Sequence, residues 1–200
     1  MTTGIFLAHL NPVTNAHVEI IEELKKESKV KVMPVIFLKN RTEVNSQSFP
    51  FSFEIRKKML QAMFGDSISV SKNYAFYAPF FRYLPPVLSP ISWKLKKQIL
   101  EGIDEDYFTY TGDKVEGYML KIYGLKPKIG NRRLLSAASV KNRMYDAAKG
   151  KNTNWQEDVP EKVVEIINQN WDIIEKYANM EDKTTKVAGM KFPQDGYWSK

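Results

Sequence analysis

Near its N-terminus the chain changes hydrophobic period, and the change falls on a proline turn. Ile5 to Leu10 reads as a buried strand, whereas Val18, Ile21 and Leu24 recur at helical spacing and predict a helix over Ala16 to Glu27. Pro12 lies between them, in a turn that delivers Thr14 and His17 to the first turn of that helix. A helix start offers backbone N–H groups without intrahelical partners. With a hydroxyl and an imidazole beside them it forms a receptor for phosphate. Threonine is also an ordinary N-cap residue, so the same pattern is open to a capping role.

The next segments extend the pattern. Val30 to Phe37 is predicted as a second strand, so the opening forms a right-handed βαβ unit. Lys39 to Pro50 is polar and reads as a loop, and Ser52 is placed to cap a helix carrying Ile55, Met59, Leu60 and Met63. Ile68 to Val70 and Tyr107 to Thr111 are further strand candidates, and Lys128-Ile129 begins a short one. Helices are expected over Ser92 to Glu101, Gly117 to Gly124, Ser136 to Lys149 and, as one long element, Pro160 to Ala178. Tyr74 to Pro90, dense in aromatics and prolines, either walls a substrate pocket or packs as a loop over the sheet. We expect residues 1–178 to form the domain and 179–200 a tail, docked through Phe192, Tyr197 and Trp198. The alternation of strands and helices predicts an α/β fold, a Rossmann-like doubly wound parallel sheet with a C-terminal helical extension.

Composition narrows the chemistry. The chain is 43% apolar and 12% aromatic, enough for a substantial core. It holds no cysteine, which removes disulfides, thiolate metal sites and cysteine nucleophiles and suits a cytoplasmic protein. No apolar stretch is long enough to span a membrane, and no secretory signal pattern precedes the first strand. The net charge of +7 favours anionic partners. Its lysines and arginines fall in short groups without an aromatic-interleaved pattern, so a phosphorylated small molecule is expected in preference to nucleic acid. Self-association is left open.

Ala8-His9-Leu10-Asn11-Pro12-Val13-Thr14-Asn15-Ala16-His17 resembles the G-x-F-x-P-x-H/T-x-G-H motif of the nucleotidyltransferase superfamily, with Ala8 and Ala16 in place of glycines and Leu10 in place of the aromatic. Four later segments resemble archaeal-type nicotinamide mononucleotide adenylyltransferases, in the same order. They are Pro50-Phe51-Ser52 with Arg56, then Tyr110-Thr111-Gly112-Asp113, then Leu135 to Met144, and last Trp155 to Glu165 leading into the final helix. In the third of these, Ala138 stands where the family has threonine and Lys141 where it has arginine.

The resemblance implies adenylyl transfer from ATP to nicotinamide mononucleotide, giving NAD and pyrophosphate, with Mg²⁺ arriving on the triphosphate and no metal held by protein ligands. The alternatives are cytidylyl or adenylyl transfer to another phosphorylated small molecule, or a nucleotide-binding protein that has lost catalysis. It also implies residue roles. His17, Thr14 and Lys141 would be catalytic, stabilising charge on the transferring phosphates. His9, Leu10, Asn11, Asn15, Gly112, Asp113, Ser136, Ser139 and Arg143 would bind the nucleotide, with Arg143 a substitute for the missing arginine. Lys39 or Arg41 and Arg56 could reach phosphates from the other side of the cleft. Lys39, Arg56 and Trp93 are the acceptor candidates, Trp93 by stacking unless it simply packs.

Overall fold

The computed structural model describes residues 2–112, 114–131, 133–187 and 190–199, without the Val115 side chain. In chain order the elements are β1 (Thr3–Ala8), α1 (Asn15–Lys25), β2 (Lys29–Pro34), β3 (Ile36–Lys39), β4 (Thr42–Glu43), α2 (Phe53–Phe64), β5 (Ser69–Val70) and β6 (Ala75–Tyr77). They continue with α3 (Pro90–Ile99), β7 (Tyr107–Thr111), α4 (Lys114–Ile122), β8 (Pro127–Ile129), α5 (Ala137–Ala148), α6 (Glu161–Gln169), α7 (Trp171–Ala178), β9 (Thr184–Val187) and β10 (Met190–Pro193).

A five-stranded sheet of order β5-β2-β1-β7-β8 forms the centre, and every pairing in it is parallel. Parallel sheets need cover on both faces, and the side chains of β1 supply contacts to each. Phe6 points into one core with Ile21 of α1, Leu60 of α2, Met144 of α5 and Ile167 of α6. Ile5 and Leu7 point into the other, with Ile99 of α3, Leu120 of α4 and Phe192 of β10. This is the Rossmann-like α/β architecture expected from the sequence. The chain builds outward from β1 through β2 to β5, then returns to add β7 and β8 on the other side. The reversal puts a crevice at the C-terminal ends of β1 and β7, where open α/β sheets bind ligands.

Two elements depart from expectation, and a third resolves an open alternative. The second strand does not run through to Phe37. β2 ends at Pro34, whose missing N–H lies on the side away from β1, and the chain leaves the main sheet one residue later. Val35 donates to the Ala8 carbonyl at 2.9 Å, and β3 then joins a separate sheet of order β4-β3-β6. The aromatic stretch from Tyr74 to Pro90 is packed structure: it holds β6 and a 3₁₀ turn, Phe80–Tyr83, whose Phe80 and Tyr83 are buried against Phe76 and Phe192. The long C-terminal helix breaks at Asn170, whose side-chain amide donates to the Ile166 carbonyl at 2.8 Å in place of helical continuation. The residues after α7 form the antiparallel hairpin β9–β10, with Phe192 fully buried.

Candidate functional site

The segment leaving β1 is held by several backbone contacts. Leu10 has φ +51° and is fully buried, a left-handed conformation that costs a non-glycine residue about 1–3 kcal/mol and tends to mark functional turns. The Asn11 side chain is consumed in bonding Phe51: its amide donates to the Phe51 carbonyl at 2.8 Å and its oxygen accepts the Phe51 N–H at 3.1 Å. Leu10 and Asn11 therefore bring backbone, not side chains, to the crevice.

Thr14 is the N-cap of α1 and is wholly buried. Its backbone N–H donates to His17 Nδ1 at 3.1 Å, and its Oγ1 lies 3.0 Å from the same nitrogen. A backbone N–H can only donate, so Nδ1 accepts. In the neutral ring the proton then resides on Nε2, which is free to donate outward. Burial first, then the charge of Lys141, lowers the His17 pKa to about 4, so the ring is a neutral donor at pH 7. His9 stacks on Phe49 with ring centroids 4.8 Å apart and planes inclined by 20°. Protein crowding, then Lys141, Arg56 and Lys191, holds its imidazole well below its usual range even though part of the ring faces solvent.

Lys141 reaches back from the first turns of α5 and donates to the Asn11 carbonyl at 2.9 Å. Burial, then nearby Lys191, outweighs the opposing charge of Asp182 and lowers its pKa to about 7, with Arg56 adding a smaller push in the same direction. His9, His17 and Lys141 thus converge on the end of β1. They form an electropositive, donor-rich crevice that can receive phosphate oxygens.

The remaining candidates are distributed otherwise. Gly112 follows β7 at the same edge of the sheet, and Asp113 lies outside the described residues. Ser136 caps α5, its Oγ accepting the Ser139 N–H at 3.1 Å, and both serines are exposed. Arg143 turns away from the crevice to Asp158 and to the Asn154 carbonyl. Residues two apart on a helix do not share a face, so Arg143 cannot stand beside Lys141. The Asn15 amide donates to the Glu157 carbonyl at 3.0 Å, tying α1 to the same Trp155–Asp158 turn. Lys39 pairs with Asp195 at 2.7 Å. Trp93 donates to the Val87 carbonyl and packs edge-on against Tyr123 beyond the end of α4, and none of its contacts is with the crevice residues.

Arg56 is not presented to the crevice either. It is 2% exposed and each of its three side-chain nitrogens donates to a group inside the protein. Its partner Glu43 also accepts the Phe53 N–H, at 2.8 Å, and so caps α2; Ser52 occupies the N-cap position but its side chain makes no capping bond. Three residues that sequence reasoning passed over border the site: Phe49 beneath His9, Lys191 on β10, and Asp182 ahead of β9. Among the described residues no group of three or more His, Cys, Asp or Glu could hold a metal ion, and no helix is long and apolar enough to cross a membrane.

An α/β domain with a phosphate-receptive crevice at its topological switch point is a class with many activities. No family model matches the sequence, and no curated protein matches it. Solved structures do match. The chain aligns with a bifunctional NMN adenylyltransferase/ADP ribose pyrophosphatase from Francisella tularensis at TM-score 0.62 and 15% identity, over 88% of this chain and 52% of that one. The Francisella protein complexed with AMP and a manganese ion gives 0.59 at 12% identity with the same coverage. A protein described as a nicotinate-nucleotide adenylyltransferase from Vibrio parahaemolyticus gives 0.56 at 14% identity, over 88% of this chain and 96% of that one. The chain therefore spans about half the length of the Francisella protein. At such identities the likeness is one of fold.

Proposed function

We propose that this protein is a nucleotidyltransferase that moves an adenylyl group from ATP to the phosphate of nicotinamide mononucleotide or a close relative. The observation that carries the reading is the convergence of His9, His17 and Lys141 at the switch point, on a fold like that of pyridine-nucleotide adenylyltransferases. A phosphate oxygen of the acceptor attacks the α-phosphorus. The bond from that phosphorus to the oxygen bridging the β-phosphate breaks, and pyrophosphate leaves. The reaction asks for alignment and charge stabilisation, with no protein nucleophile. The His17 Nε2–H and the Lys141 ammonium meet the charge that develops on the phosphates. Mg²⁺ would enter on the triphosphate as part of the substrate.

Pyrophosphate release, measured with Mg²⁺, each nucleoside triphosphate and a panel of phosphorylated acceptors led by nicotinamide mononucleotide, tests the reading. Acceptor-dependent release with ATP is the expected result. A second reading is binding without turnover. It is favoured by Lys141, which stands where an arginine is expected and has its Nζ engaged with the Asn11 carbonyl. ATP binding with no release across the panel would select it.

The Lys141 pKa of about 7 supplies a further prediction. A bound polyphosphate favours the ammonium, so the complex binds more protons than the free protein above that pKa. ATP affinity is therefore expected to fall as pH rises, by up to about tenfold per unit above about pH 7.5. Calorimetry in buffers of different ionisation enthalpy should show proton uptake on binding. Lys141→Arg should flatten the profile, and an unchanged slope in that variant would assign the effect to another group.

A further inference from the structure

The hairpin β9–β10 sets a second cation over the crevice. Lys191 Nζ donates to Ser48 Oγ at 3.3 Å. Ser48 belongs to the segment whose next residue, Phe49, stacks on His9, and whose Phe51 is bonded to Asn11, the residue that receives Lys141. Lys191, from the C-terminal hairpin, thus contacts the Ser48–Phe51 stretch directly, and Lys141, from α5, contacts Asn11, which is bonded to that stretch; the two charges are close enough to repel.

The hairpin is firmly seated. Phe192, next to Lys191, is fully buried, with rings of Phe37 and Phe76 at 5.8 Å. Thr184 bonds Ser46 at 3.1 Å and Asp182 at 2.6 Å. The Lys191 stem is exposed, so a fixed backbone carries a side chain with freedom to swing. Of the charges in the cluster, Arg56 is already paired with Glu43, and Asp182 is engaged by the Ser48 and Thr184 hydroxyls. The imidazoles are neutral at pH 7, so Asp182 faces the Lys191 ammonium and a Lys141 that a bound anion would hold protonated. An anionic ligand would complete the set.

We propose that Lys191 is a ligand-binding residue of this crevice, and that it shares a phosphoryl group of the nucleotide polyphosphate with Lys141. The inference deepens the transferase reading, but it requires only that a polyphosphate binds. On binding, the ammonium leaves Ser48 for the phosphate oxygens, so the hairpin closes the anion site with a group distant in sequence from the others. Lysine suits the task because a flexible stem and a compact charge can follow the phosphate chain.

The test is equilibrium binding of inorganic pyrophosphate and of ATP with Mg²⁺, for the parent protein and for Lys191→Met, which keeps the stem and removes the charge. The exposed position makes misfolding a small risk, and a thermal melt checks it. Lys191→Met is expected to weaken both ligands by about tenfold or more, the scale of one lost charge-assisted contact, and Lys191→Arg to restore most of the loss. Lys94→Met, which removes an exposed charge on α3, controls for net charge and should leave binding near that of the parent. Equal affinity in the two methionine variants would overturn the proposal, as would a parent that binds neither ligand. A parent that binds both and releases no pyrophosphate with any acceptor would sink the transferase reading and leave Lys191 in place.

Discussion

His17→Ala is expected to lower turnover by at least about a hundredfold, the usual cost of removing one preorganised donor at a developing oxyanion. The reason lies in how the ring is held. The Thr14 N–H occupies Nδ1 and so fixes the proton on Nε2, and a pKa of about 4 keeps the ring neutral at working pH. Alanine also removes the contact to the Thr14 N–H, a capping interaction with a typical cost of about 1 kcal/mol, so a small loss of stability should accompany the loss of rate. His17→Gln separates the two. Glutamine at this third helical position can still reach the N-cap N–H, so it should recover stability without recovering turnover. Unchanged turnover in His17→Ala would remove His17 from the mechanism.

The same ring should contribute to acid lability. Its folded pKa lies below the unfolded value near 6.5, so between about pH 4 and that value the unfolded chain binds more protons. Stability therefore rises with pH across this window and is progressively lost on acidification. His17→Ala should reduce the slope in chemical denaturation measured across the same range.

The sequence disclosed what depends on neighbours along the chain. The period change from Ile5–Leu10 to Val18–Leu24 located β1, α1 and the turn between them, because that signal is carried by consecutive residues. The break at Pro34 was also legible in principle, since a missing N–H limits any strand. It was hidden by the apolar run that continues to Phe37. The divergence of Lys141 and Arg143 was legible too, because positions two apart on a helix point to different faces. The hidden features depend on distant pairings. Asn11 is spent on Phe51, forty residues away, and Glu43 rather than Ser52 caps α2. Lys191 sits on a hairpin whose strands are too short for alternation to register. Its place beside the crevice comes from Phe192 packing into a core formed by other elements.

Arg56 carries the second large prediction, because sequence and structure assign it different work. The P-F-S opening suggested a phosphate contact, yet the guanidinium is enclosed. Its Nη1 donates to the carbonyls of His9 at 2.8 Å and Val35 at 2.7 Å, its Nε to that of Ser52 at 3.3 Å, and its Nη2 to Glu43 at 2.9 Å. Burial lowers its pKa and the Glu43 carboxylate opposes the shift. It joins the end of β1, the point where β2 gives way to β3, and the start of α2, and so sets the backbone on which His9 rides. Lysine cannot reproduce this planar fork, and methionine would leave the carbonyls unpaired and Glu43 without its counter-charge. Arg56→Met should cost about 3 kcal/mol or more, the range for breaking a buried pair from one side. In a domain of this size that corresponds to a fall of roughly 6–12 °C in Tm. Glu43→Gln in the same background should add much less than it costs alone, since the two residues act as one unit. A direct phosphate contact predicts the opposite pattern, an unchanged Tm with a raised KM for one substrate. Denaturation and kinetics on the same variants distinguish a residue that holds the crevice in shape from one that holds its ligand.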